Sequence, residues 1–88
     1  MVSTKAKIIN RAGLHTRPAA TIVKIASKYK SQFYINRGGF KIDGKSIIGV
    51  MTLAAEMGSE LDLTFDGVDE NEMSQEVLDF FNRGFDEL

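Results

Sequence analysis

At 88 residues the chain has room for one small core, since a domain of this size buries only roughly 60% of the surface its unfolded chain exposes; residues 1–88 are expected to form a single domain. The apolar content of 43% is ordinary for a folded protein, and no stretch approaches a membrane span of ~18 consecutive apolar residues. The absence of cysteine excludes disulfides and thiolate metal sites, and the single histidine, His15, leaves a zinc site short of nitrogen ligands, so no metal or other cofactor is expected. The opening MVSTKAKI lacks the apolar run of a signal peptide, which makes a cytoplasmic monomer the expectation.

The net charge of -1 conceals an asymmetry. Residues 1–44 carry nine Lys/Arg against one acid, Asp43, for +8, whereas residues 45–88 carry eleven acids against Lys45 and Arg83, for -9. Such runs are commonly solvated surface, but a basic region around Arg17 and Lys24 also suits an anion or an acidic partner. Nucleic acid fits poorly, because the acidic half repels it and no basic motif with stacking aromatics is present.

In chain order, Val2, Thr4, Ala6 and Ile8 alternate with polar residues, the period-two pattern of a strand with one buried face. Ala19, Ile22, Val23 and Ala26 follow helical spacing and predict an amphipathic helix over 16–28. Phe33 and Ile35, then Phe40 and Ile42, alternate on two strands around Asn36-Arg37-Gly38-Gly39, which supplies the positive-φ residues of a hairpin turn. Ser46 is placed to cap a short helix from Ile47 to about Ala54. Leu61, Leu63 and Phe65 mark a fourth strand, and Met73, Val77, Phe80 and Phe81 stripe a last helix. Asp69 and Glu72 have the spacing of a capping box at its start, and Gly84 suits its end. Strand-helix-strand-strand-helix-strand-helix, with one-sided strands, predicts an α+β open-faced sandwich: a mostly antiparallel four-stranded sheet with three helices on one face.

The segment Gly39 to Ser46, GFKIDGKS, matches the phosphate-binding pattern of Gly, any four residues, then Gly-Lys-Ser. Its four variable residues, Phe40 to Asp43, alternate as the second arm of the hairpin, and a backbone engaged in a ladder cannot also wrap phosphate. Nucleotide binding by this chain is not expected.

Gly13-Leu14-His15-Thr16-Arg17-Pro18-Ala19-Ala20 holds the chemistry. Pro18 is tolerated in a first helical turn, where its missing N–H has no intrahelical partner. His15 therefore stands at a helix N-terminus beside free N–H groups, with Arg17 close by. A neutral ring nitrogen there can attack phosphorus, and the same N–H groups and guanidinium then face the phosphoryl dianion. A histidine before a helix is often only a cap neighbour or a surface residue, and Arg17 only a solvated side chain. Favouring function are the uniqueness of His15 and the basic half around it. A hydrolase would need a general acid and a water site, neither of which the sequence offers; an interaction module would use the same face without a reactive histidine.

GLHTRPAA followed some thirty residues later by GKSIIGVMTLAA resembles the HPr family of histidine-containing phosphocarriers of the sugar phosphotransferase system, over essentially the whole chain. The resemblance implies that His15 accepts a phosphoryl group on Nδ1 from Enzyme I, charged by phosphoenolpyruvate, and passes it to an EIIA domain for sugar uptake. It implies too that Arg17 holds the phosphate and that Ser46 is phosphorylated by an HPr kinase/phosphorylase. Where the family commonly has Ala, this chain has Thr16, whose hydroxyl can add a cap or phosphate contact. Residues 53–59 and 82–88 look closer to nitrogen-branch carriers, whose acceptor is a regulatory EIIA protein. Independently of the family, Ile47, Ile48 and Met51 cannot all point inward from so short a helix. Exposed beside Ala20 and ringed by Arg17, Lys24 and Lys45, they would form a docking patch for acidic partners, with Met51 as its adaptable element.

Overall fold

The period-two stretches form four strands, β1 (Val2–Lys7), β2 (Gln32–Arg37), β3 (Phe40–Asp43) and β4 (Glu60–Asp66). The helically spaced stretches form α1 (Thr16–Ala26), α2 (Ile47–Thr52) and α3 (Glu70–Asn82). The computed structural model describes residues 1–88. The strands stand in the order β1-β4-β2-β3 with every neighbouring pair antiparallel, and the helices cover one face, so the architecture is the α+β open-faced sandwich that the element order predicts. No helix is long and apolar enough to cross a membrane.

Register follows from which side chains must be buried. Val2 pairs with Phe65, Thr4 with Leu63 and Ala6 with Leu61 across β1–β4, while Phe33 pairs with Phe65 and Ile35 with Leu63 across β2–β4. A slip of one residue would turn all of these to solvent. The Phe33 and Phe65 rings stack with centroids 4.7 Å apart. From above, the helices add Ala19, Ile22 and Ala26, then Val50, then Met73, Val77, Phe80 and Phe81, making one continuous core. The opposite face is wet: it carries Lys5, Lys7, Gln32, Lys41, Glu60 and Asp62, all exposed.

Four local expectations are corrected. Phe40 is 75% exposed instead of buried, because β3 is an edge strand and Phe40 sits at its outer end opposite Arg37. α1 ends at Ala26, not at 28, and α2 ends at Thr52, where Ala54 turns into the left-handed region at φ 48°. At the other end of the chain, Gly84 does stop α3, yet the backbone does not trail away. It makes a tight turn over Gly84–Asp86, with Phe85 at φ 58° and Asp86 at φ 60°. These left-handed conformations are unfavourable for side-chain-bearing residues. Burial of Phe85 against Phe80 and Phe81, at centroid distances of 5.2 and 5.0 Å, opposes that strain.

The fourth correction is the capping box, which does not form. Asp69 makes no side-chain bond to its own helix. Its carboxylate instead accepts from the Lys30 N–H (2.9 Å), the Ser31 N–H (2.8 Å) and the Ser31 hydroxyl (2.5 Å), while the Asp69 N–H donates back to Ser31 Oγ at 3.1 Å. Glu70 takes over at the helix entrance by accepting from the Gly67 N–H. Asp69 thus ties the start of α3 to the α1–β2 connection, whose N–H groups have no ladder partner there. The Ser31 hydroxyl and the two backbone N–H groups pull the Asp69 carboxyl from its ordinary 3.8 down to about 2.

A carboxylate depressed in the folded state stabilises fully above its unfolded value, and that contribution vanishes as pH falls through the folded one. Asp69→Ala should therefore lower the thermal midpoint at neutral pH, and the gap to wild type should close between about pH 4 and pH 2. Thermal melts across that range would check it; a gap independent of pH would show that the carboxylate charge plays no part.

Candidate functional site

The segment before α1 is built to expose one side chain on a fixed backbone. Gly13 adopts φ +74°, and a Cβ there would lie 2.7 Å from the Ala55 carbonyl oxygen, so only glycine fits. The Leu14 N–H donates to that same carbonyl at 2.8 Å and the Leu14 side chain is buried. His15 follows as the N-cap of α1 with extended backbone and makes no side-chain bond to the helix. Its ring stands outside, 40% exposed.

Pro18 is buried in the first turn, as its missing N–H allows. The Thr16 and Arg17 N–H groups donate to no protein acceptor, and the Arg17 side chain has neither a hydrogen bond nor an ion pair. Arg17 borders a cleft of about 160 Å³ shared with Pro18, Thr21, Phe80, Phe85, Asp86 and Glu87. Two free backbone donors, a free guanidinium and an imidazole therefore meet at the positive end of one helix, an arrangement suited to a phosphoryl group.

The surroundings are not purely cationic as the sequence implied. The tight terminal turn brings Glu87 onto the ring, with Oε2 2.7 Å from His15 Nε2, and Asn10 Nδ2 donates to Glu87 Oε1 at 2.8 Å. Arg83 braces the turn from outside: its Nε donates to Asp86 at 2.8 Å and it also pairs with Asp79. Sequence reasoning missed Asn10 and Glu87. The available signal was Phe85, an aromatic residue after a helix stop, which has reason to fold back to the core. The His15 Nδ1 has no protein partner, and no group of three metal-ligating side chains exists in the chain.

The remaining candidate residues divide. Thr16, Ala20 and Lys24 recur every fourth residue on α1 and are all exposed. α2 packs beside α1 and exposes Ile47 by 42%, Ile48 by 77% and Met51 by 41%, with only Val50 buried. Lys45 does not join that rim as a free cation, because its ammonium donates to the Tyr29 carbonyl at 2.8 Å just beyond the C-terminus of α1. Ser46 caps α2, its Oγ accepting from the Gly49 N–H at 3.1 Å. The Phe40–Asp43 stretch is extended and paired to β2 as a ladder, so the phosphate-loop pattern does not take the form of a loop wrapped around a phosphate.

Comparison with known proteins agrees with this geometry. Residues 2–83 match the family model described as the PTS HPr component phosphorylation site. The chain is 41% identical to the phosphocarrier protein HPr of Treponema pallidum over 99% of both chains. It superposes on the crystal structure of an HPr from Thermoanaerobacter tengcongensis with a TM-score of 0.95 and 36% identity, covering 100% of this chain and 99% of that one. A structure titled as an HPr dimer from the same organism matches with a TM-score of 0.77 at 36% identity, over 97% and 98% of the two chains. With a lone histidine at the mouth of a helix and this likeness running from end to end, the chain belongs to the HPr family of phosphocarriers of the phosphotransferase system.

Proposed function

We propose that His15 Nδ1 accepts a phosphoryl group from Enzyme I, itself charged by phosphoenolpyruvate, and passes it to an EIIA domain in sugar uptake. The observation that carries this reading is the unengaged Nδ1 beside the free Thr16 and Arg17 N–H groups and the free Arg17 guanidinium. The chain acts as one cytoplasmic domain and as a carrier, a substrate of one enzyme and a donor to the next, without turnover of its own. The proposed carrier is a monomer.

In the forward step the Nδ1 lone pair forms the new bond to phosphorus while the bond between phosphorus and the donor atom of Enzyme I breaks and its electron pair returns to that atom. Arg17 and the two N–H groups oppose the charge of the transferred group. Docking uses the exposed stripe of Thr16, Ala20 and Lys24 with the neighbouring Ile47, Ile48 and Met51. Incubation with phosphoenolpyruvate and Enzyme I should add one acid-labile, base-stable phosphate that His15→Ala abolishes; undiminished label in that variant would refute the assignment. A regulatory EIIA of the nitrogen branch, offered in the same assay, would show which acceptor takes the group.

Arg17 supplies a charge-assisted hydrogen bond to phosphate, worth about 1.5–3 kcal/mol. Arg17→Ala should slow transfer roughly 10- to 100-fold. Because the side chain has no partner in the unphosphorylated protein, the thermal midpoint should hardly move. Transfer at the wild-type rate would make Arg17 a solvated bystander.

Ser46 is the proposed substrate of a separate HPr kinase/phosphorylase. As the N-cap of α2 its oxygen already faces the Gly49 N–H, and a phosphate of about -1.5 to -2 charge suits a helix start. The fold should be kept while docking weakens, since the charge falls beside Ile47 and Ile48. Thermal melts and the rate of His15 phosphorylation, compared between the phosphorylated and unmodified chains at low salt, test this. An unchanged rate would rule out the switch, and an unfolded product would rule out the cap.

A further inference from the structure

Glu87 serves two partners at once: Oε2 lies on His15 Nε2 at 2.7 Å and Oε1 accepts from Asn10 Nδ2 at 2.8 Å. Asn10 is completely buried, and the same amide nitrogen donates to the Gly13 carbonyl at 2.9 Å. These two acceptors fix the orientation of the amide, since rotating it would aim Oδ1 at two other oxygens. The fold keeps the consequence, a buried Oδ1 with no partner. An unpaired buried oxygen costs free energy and calls for a compensating role.

We propose that Asn10 and Glu87 are positioning residues for phosphoryl transfer: Asn10 aims the Glu87 carboxylate, which holds the imidazole proton on Nε2 and so presents Nδ1 as the nucleophile. The proposal rests on the reading of His15 as the phosphoryl acceptor. A carboxylate only accepts hydrogen bonds, so the contact requires Nε2–H, and in the neutral ring the lone pair then lies on Nδ1.

The same contact acts during transfer. When Nδ1 bonds to phosphorus and the bond from phosphorus to the donor atom breaks toward the donor, the His15 ring becomes an imidazolium with its proton still on Nε2. The Glu87 carboxylate faces that new charge. On delivery the Nδ1–P pair returns to Nδ1 and the neutral ring is restored without net proton movement. Phe85 in the core and the Arg83–Asp86 bond anchor the turn that makes this possible.

The test uses the full-length, 15N-labelled chain and long-range 1H–15N correlation of the imidazole, at a pH above the ordinary histidine range. It is paired with the rate of phosphate acceptance from phosphoenolpyruvate and Enzyme I. Wild type should show a slowly exchanging Nε2–H and phosphate on Nδ1. Glu87→Ala should exchange that proton faster and accept phosphate more slowly, each by roughly 10-fold or more, the scale of a charge-assisted hydrogen bond. Glu87→Gln, which keeps an acceptor without the charge, should recover the slow exchange but not the rate. Asn10→Ala should shift both in the direction of Glu87→Ala. Acceptance at wild-type rate by Glu87→Ala overturns the positioning role, even if its melting point falls. Failure of wild type itself to accept phosphate removes the carrier reading first, and the two failures are told apart in one assay.

Discussion

A group that is to be handed between proteins must be both exposed and fixed, and here the Ala55 carbonyl reconciles the two. It receives the Leu14 N–H at 2.8 Å, and it lies so close to Gly13 that no side chain fits between them. Burial of Leu14 and of Asn10 holds the remainder of the turn. The ring of His15 is thereby carried into solvent on a backbone anchored to the core through its immediate neighbours. Backbone entropy that would oppose a precise geometry is already lost before any partner arrives. The direction of α1 follows from the same anchor, and with it the direction in which the free N–H groups point.

The charge asymmetry of the chain gains its meaning once it is folded. The acidic half does not stand apart from the basic half: Asp62 pairs with Lys5, Glu76 with Lys28 and Glu70 with the N-terminal ammonium. These are exposed pairs of small individual value. Arg17 and Lys24 are left without acidic partners, and the neighbouring α2 exposes Ile47, Ile48 and Met51. In the proposed docking, free cations would speed encounter with an acidic surface and the small apolar area would allow release.

Most of the architecture was legible because it depends on local period. Alternation at Phe33, Ile35, Leu61, Leu63 and Phe65 fixes strands and their inner face, and the stripe of Met73, Val77, Phe80 and Phe81 fixes α3. Pro18 located the start of α1 and thereby the position of His15 at its N-terminus. What could not be read depends on which edges and ends meet. Phe40 alternates correctly, yet it lies at the outer end of an edge strand and stays exposed. Asp69 has capping-box spacing but finds better donors at residues 30 and 31, which no local rule brings near. Glu87 meets His15 across 72 positions only because Phe85 returns to the core, a tertiary event with one aromatic residue as its trace.

Carriage, as distinct from mere phosphorylation, requires that the group leave again for an acceptor. The most direct measurement isolates the chain with 32P on His15, removes Enzyme I and phosphoenolpyruvate, and adds a purified EIIA domain while inorganic phosphate is followed separately. The account predicts that the label passes to the EIIA domain and that, without an acceptor, it stays on the protein. Label that remains on the chain in the presence of EIIA domains of both the sugar and nitrogen branches, or that appears as inorganic phosphate at the same rate with and without them, would contradict it.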